Sequence, residues 1–170
     1  MDLKSFIRDI PDFPKPGIIF KDITPLLLNP EATAFAIRSM VDRFKDLGVT
    51  KVASVEARGF IFGLGVAQAL KVGFIPVRKP GKLPYQTASE EYELEYGTDR
   101  IEIHVDAVDE GEKVIVIDDL LATGGTALAT VHLIEKIGGR VVGIGFIIEL
   151  GFLKGREKLK NYNVQSLIIY

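Results

Sequence analysis

The sequence contains no cysteine. That absence excludes a disulfide framework, a thiolate metal site and a catalytic thiol together, and it suits a reducing, cytoplasmic setting. An excess of one charge is missing too, since 21 basic and 23 acidic residues leave a formal net charge of -2. So balanced a chain does not grip nucleic-acid backbone non-specifically, and any anion site must be local. Long apolar runs are also lacking. The most apolar stretch, 141–148, is too short to span a bilayer and is interrupted by Gly143 and Gly145. Residues 1–11 carry Asp2 and Asp9 among Lys4 and Arg8 and do not read as a secretory signal. The expectation is a soluble, cytoplasmic protein that partners neither nucleic acid nor membrane.

What is present is ordinary for a globular chain: 170 residues, 47% apolar and 26% charged, enough for one domain, 1–170, with one core. From about Asn29 strand and helix patterns alternate, which predicts an α/β fold with a mainly parallel sheet. Asn29 can cap a helix starting at Pro30, with Ile37, Met40, Val41, Phe44 and Leu47 at helical spacing and Gly48 at its end. A strand over 52–55, a helix over 59–70 and a strand over 74–77 follow, with Gly73 in the turn between the last two. Residues 79–91, KPGKLPYQTASEE, show no periodicity and read as one long exposed loop. Ile101, Ile103 and Val105 then alternate with Glu102, His104 and Asp106, as in a half-buried antiparallel edge strand whose His104 faces solvent. Strands over 114–117, 141–148 and 164–169 are expected around a helix over 126–137 and a short charged helix over 155–162.

The most informative segment is VIVIDDLLATGGTA, 114–127, in which a buried strand runs into two acids, a Thr- and Gly-rich loop and a helix. Ligands of open α/β sheets sit beyond the carboxyl ends of the strands, so this is where a site is expected. Gly124 and Gly125 let backbone amides approach an oxyanion, Thr123 and Thr126 can donate to it, and the helix presents its positive end. Asp118 and Asp119 can accept from sugar hydroxyls but would repel a second phosphate. A sugar phosphate satisfies both halves. The segment has neither the spacing nor the lysine of a P-loop, and no strand is followed by a dinucleotide fingerprint. In VEARGF, 55–60, a second strand-to-helix turn sets Arg58 and the amides near Gly59 and Phe60 where a pyrophosphate would fit. Neither His104 nor His132 belongs to a ligand cluster, and His132 reads as structural.

The segment 114–127 resembles the PRPP-binding motif of the type I phosphoribosyltransferases: a hydrophobic strand, two acids, two hydrophobics and A-T-G-G-T, matched here at every position. ARGF, PDFPKPGIIFKDITPLL near the N-terminus and LEYG after the long loop extend the resemblance over nearly the whole chain, to the members of that family that use adenine. The resemblance implies the family's twisted parallel sheet with a small N-terminal hood, 1–28, that binds the base, and a flexible catalytic loop, 79–91. It implies transfer of the phosphoribosyl group of PRPP to adenine N9, giving AMP and pyrophosphate in purine salvage. Asp118 and Asp119 would hold the ribose hydroxyls, and Ala122, Thr123, Gly124, Gly125 and Thr126 the 5′-phosphate. Arg58, Gly59, Arg78, Lys79 and Lys82 would serve the pyrophosphate, Glu95 and Tyr96 together with Arg58 the reacting centre, and Ile19, Phe20 and Lys21 the adenine. Mg²⁺ would be held through PRPP and water without direct protein ligands, and the assembly would be a homodimer. A sister enzyme for xanthine or another purine, and a non-catalytic PRPP-sensing regulator, are the alternative readings.

Overall fold

The computed structural model describes residues 1–94 and 97–170. A hairpin of β1 (Arg8–Pro11) and β2 (Ile19–Asp22) opens the chain, followed by α1 (Thr24–Leu28) and α2 (Pro30–Phe44). Asn29 caps α2 by accepting from the Ala32 N–H at 2.9 Å, with Pro30 at the first position. β3 (Lys51–Val55), α3 (Arg58–Leu70) and β4 (Gly73–Val77) form one βαβ unit, and β7 (Lys113–Leu121), α4 (Gly125–Lys136) and β8 (Arg140–Glu149) another. Between them β5 (Thr87–Glu93) and β6 (Thr98–His104) pair antiparallel, and β9 (Val164–Ile169) closes the chain.

The central sheet runs β4-β3-β7-β8-β9 with every pair parallel. Both faces are covered. Val114 and Val116 of β7 face a core shared with α4 and β6, whereas Ile115 and Ile117 face one shared with α2 and α3. A strand buried on both sides needs an uninterrupted apolar run rather than alternation, which is why 114–117 reads as it does. Pro76 is tolerated because β4 is an edge strand.

Four expectations are corrected. Residues 79–91 do not form one loop, since 87 onward is strand β5: Ala88 and Tyr92 pack on the α4-side core, but the intervening polar residues conceal the period of two. The strand over 101–106 is not an edge of the central sheet; it is β6, paired with β5 and touching the Arg78 backbone through one bridge at Glu102. It ends at His104, so Val105 is exposed, and His104 is half-buried with its ring edge-on to Tyr85. Gly73 begins β4, and the left-handed turn residue is Lys71. The charged helix over 155–162 is a 3-10 turn, Gly155–Leu159, with the Glu157 N–H on the Lys154 carbonyl.

Candidate active site

β7 is longer than its apolar run. It carries Asp118 and Asp119 within the strand and ends at Leu121, beside the carboxyl ends of β3 and β8. The next residues turn into α4 at Gly124, whose φ of 82° is left-handed backbone that glycine adopts without penalty. α4 starts at Gly125, so the first-turn amides have no partner within the helix and face the space in front of β7.

That space is a cavity of about 300 Å³. Its floor is Asp118 and Asp119, one wall is the loop from Ala122 to Thr126, and the opposite wall is Glu56, Ala57 and Arg58. Lys79 and Tyr92 close a third side. Of the residues expected at a phosphoribosyl site, the fold therefore brings together Arg58, Lys79, Asp118, Asp119, Ala122, Thr123, Gly124, Gly125 and Thr126.

The charges in this cavity are partnered. Arg58 Nε lies 2.8 Å from Asp119 Oδ2. Arg78 pairs with Glu56, Nε to Oε1 at 3.3 Å, and Glu56 accepts from the Lys79 N–H at 2.6 Å. Lys79 donates to Asp99 and, at 3.0 Å, to the Tyr92 hydroxyl. Burial, then the charge of Asp119, pushes the Asp118 carboxyl well above its usual range. Burial also raises Asp119, with Arg58 pulling the other way. Burial works against the charged forms of Glu56 and Lys79, but their hydrogen bonds win: Glu56 sits below its usual value and Lys79 above.

Other expected residues stand elsewhere. Gly59 is buried behind the wall, where a Cβ would meet Asp118 Oδ1 at 2.5 Å, so its missing side chain makes room for that acid. The Phe60 N–H, expected to be open to an anion, is taken by the Ala57 carbonyl at 3.2 Å. Arg78 and Lys82 lie off the cavity lining, Arg78 against Glu56 and Lys82 exposed on its loop. Ile19 is exposed, while Phe20 lies under the Arg58 guanidinium, 5.0 Å from ring centroid to Cζ, with Phe13 edge-on at 5.2 Å. Lys21 turns away, pairing with Asp9 at 2.7 Å and standing over the Tyr170 ring. His132 is exposed, 3.6 Å from Glu90. Glu95 and Tyr96 fall outside the described residues.

Sequence reasoning missed Glu56, Tyr92 and Asp99. Glu56 was signalled by an acid set beside the arginine of ARGF at a strand end. Tyr92 and Asp99 carry no local signal, because they meet Lys79 only through the β5–β6 pairing.

Comparison with known proteins decides the family. The phosphoribosyl transferase domain profile matches residues 26–169. Adenine phosphoribosyltransferase of Halothermothrix orenii is 59% identical over 168 residues, covering 99% of both chains, and that of Thermotoga petrophila is 56% identical over the full length of both. The chain belongs to the adenine phosphoribosyltransferase family. It is accordingly an enzyme, a glycosyltransferase of the pentosyl-transferring kind. The family's crystal structure from Thermoanaerobacter pseudethanolicus superposes with a TM-score of 0.97 at 54% identity, covering 99% of this chain and 98% of that one. The Saccharomyces cerevisiae member, complexed with an imino-altritol bisphosphate and adenine, gives 0.91 at 40% identity, with 98% and 96% covered. The fold expected from the sequence, a type I phosphoribosyltransferase sheet flanked by helices, is the fold observed.

Proposed function

We propose that this cavity transfers the phosphoribosyl group of PRPP to N9 of adenine, releasing AMP and pyrophosphate, and so serves purine salvage. One observation carries the assignment of roles: a single strand, β7, delivers a carboxylate pair and an amide-rich helix start to the same cavity, opposite an arginine. The amides of 124–126 with the hydroxyls of Thr123 and Thr126 take the 5′-phosphate, and Asp118 and Asp119 accept from the ribose hydroxyls. The N9–C1 bond forms as the C1–O bond to pyrophosphate breaks, the electron pair leaving with the pyrophosphate. The carbon passes through an oxocarbenium-like state, so positioning and charge compensation matter more than a strong nucleophile. Arg58 and Lys79 face the leaving group, and the loop beginning at Lys79 shields the carbon from water. Arg78 and Lys82 join from the same loop in this reading, and Glu95 and Tyr96 keep the roles beside the reacting carbon that the sequence resemblance gives them.

The adenine lies toward Phe20, whose ring is already tied to Arg58. The backbone of Ile19, Phe20 and Lys21 reads its edge, since carbonyls accept from an exocyclic amine. Mg²⁺ enters on the oxygens of PRPP and water. This agrees with cavity carboxylates that are already engaged, Glu56 by Lys79 and Asp119 by Arg58, and with a hard cation's tolerance of several waters. When bound, the ion neutralises the departing pyrophosphate. The enzyme acts as a cytoplasmic homodimer, a reading supported by Ile61 and Leu64, both exposed on α3 just beyond Arg58. Among the described residues no helix is long and apolar enough to cross a membrane.

The test is competition among adenine, hypoxanthine and guanine for PRPP, together with a crystal structure holding AMP. Adenine is the expected substrate, with its product's phosphate against Thr123–Thr126 amides. Preference for an oxopurine, or a phosphate bound elsewhere, overturns the proposal. Sedimentation tests the dimer.

A further inference from the structure

Glu149, the last residue of β8, is only 5% exposed and stands in register with Leu121, the last residue of β7. Arg156 grips it with both arms of its guanidinium, Nε to Oε1 at 3.0 Å and Nη2 to Oε2 at 2.5 Å. The same group donates to the Val164 carbonyl at 2.9 Å and to Ser166 Oγ at 3.2 Å, and Ser166 Oγ donates to Glu149 at 2.5 Å. One planar fork thus ties the end of β8, the turn that follows and the start of β9. A buried ion pair contributes little net stability, because desolvation offsets the attraction, so fixing geometry is the better account of this one.

What it fixes is the residue before Arg156. Gly155 is buried against the turn between β7 and α4. Its carbonyl oxygen lies 2.5 Å from where a Cβ on Gly124 would stand. A Cβ on Gly155 itself would overlap the Ala122 carbonyl and sit 3.0 Å from the Gly124 nitrogen. These neighbours are backbone and cannot swing aside as a side chain would. The Leu150 N–H, bonded to the Leu121 carbonyl at 2.9 Å, holds the same corner from the other side.

We infer that Gly155 and Arg156 are positioning residues for the phosphate cradle: the Glu149–Arg156–Ser166 clamp sets the backbone of Gly155, and that bare backbone sets the path of 122–124 and the aim of the amides beyond it. The inference rests on the reading that 122–126 receives the 5′-phosphate. Preorganised donors act only when aimed where the charge sits, so a displacement of about 1 Å in this corner carries a large kinetic penalty.

The experiment is initial-rate kinetics on the full chain with both substrates varied, comparing Gly155→Ala, Arg156→Lys and Arg156→Met with Thr126→Val as a direct lesion of the cradle. Gly155→Ala is expected to raise the KM for PRPP on the order of tenfold or more while the KM for adenine stays within about twofold. Arg156→Met moves PRPP in the same direction, and Arg156→Lys, which keeps the charge but loses the fork, falls between it and the unaltered chain. Arg156→Lys keeps the test open if Gly155→Ala does not fold. A fall in thermal midpoint or active fraction with the PRPP KM unchanged in the variants that fold would mean a structural role only, and overturns the inference. If Thr126→Val also leaves the PRPP KM unchanged, the cradle reading itself falls and takes this inference with it; if Thr126→Val alone raises it, only the positioning role falls.

Discussion

Arg58 Nε stands 2.8 Å from Asp119 Oδ2, and the same guanidinium covers the face of Phe20. One side chain therefore touches the acid assigned to the ribose and the ring assigned to the base. To serve a departing pyrophosphate, Arg58 must leave Asp119, and Asp119 is then free to accept from the sugar. Substrate takes over both halves of an existing pair instead of meeting bare charges.

Arg58→Gln accordingly does two kinds of damage: it removes a cation facing the leaving group and leaves the nearly buried Asp119 without a counter-charge. A loss in kcat/KM of about 100-fold is expected, within the usual range for deleting one charge-stabilising group. Arg58→Lys should recover only part of it, because an ammonium cannot reproduce the planar fork or its stacking on Phe20. Full recovery by lysine in steady-state assays would show that the charge alone matters.

Asp118→Asn separates stability from activity. Burial and the neighbouring Asp119 raise the Asp118 pKa, so its ionised form costs stability above the folded-state value, and that cost is relieved as pH falls through it. Asparagine removes the charge and keeps an oxygen for the Asp119 N–H, which now donates to Asp118 at 2.9 Å. The thermal midpoint at pH 7 should rise by a few degrees, equivalent to about 1 kcal/mol for a chain of this size, while turnover falls. Scanning calorimetry beside the activity assay reads both, and a lower midpoint would contradict the argument.

The sequence made the β7–α4 corner legible because everything there is local: apolar strand, acids, glycines and helix start are consecutive, and each restricts the backbone on its own. The central strands and α2 were legible for the same reason. The sequence could not disclose that Lys79 meets Asp99 and Tyr92, or that Lys21 turns to Tyr170, since those contacts depend on hairpin pairing and on chain ends meeting in space. The β5 strand was hidden by its own composition, with Ser89, Glu90, Glu91 and Glu93 around the packed Ala88 and Tyr92. Gly155 gave no signal at all, because its neighbour Gly124 is thirty-one positions away and the contact is between backbones.

The Arg156 hydrogen bonds hold Glu149 below the usual carboxyl value. A lowered folded-state pKa gives stability that is complete above the unfolded value, about 4.3, and is lost as pH falls through the folded one. The unaltered chain should therefore lose more thermal stability between pH 5 and pH 3 than Glu149→Gln does, both pH values being about the ends of that window. Parallel curves of midpoint against pH would remove Glu149 from the acid response.

Lys21 was expected at the base, yet its ammonium pairs with Asp9 at 2.7 Å and stands 3.8 Å from the Tyr170 ring centroid, with Lys4 at 4.2 Å from the same ring. Phe20, the next residue, faces Arg58 on the other side of β2. Lys21 therefore anchors the strand that carries the base-facing ring, and Tyr170 is the surface it anchors to. A cation on an aromatic face is worth about 0.5–1 kcal/mol where water has access, so Lys21→Met should raise the adenine KM by roughly two- to fivefold and leave the PRPP KM unchanged. Tyr170→Leu should do the same, whereas Tyr170→Phe keeps the ring and should behave as the unaltered chain. Initial rates with adenine varied at saturating PRPP distinguish these outcomes. If Tyr170→Phe is as impaired as Tyr170→Leu, the hydroxyl and not the ring face holds the hairpin, and the anchoring argument fails at that contact.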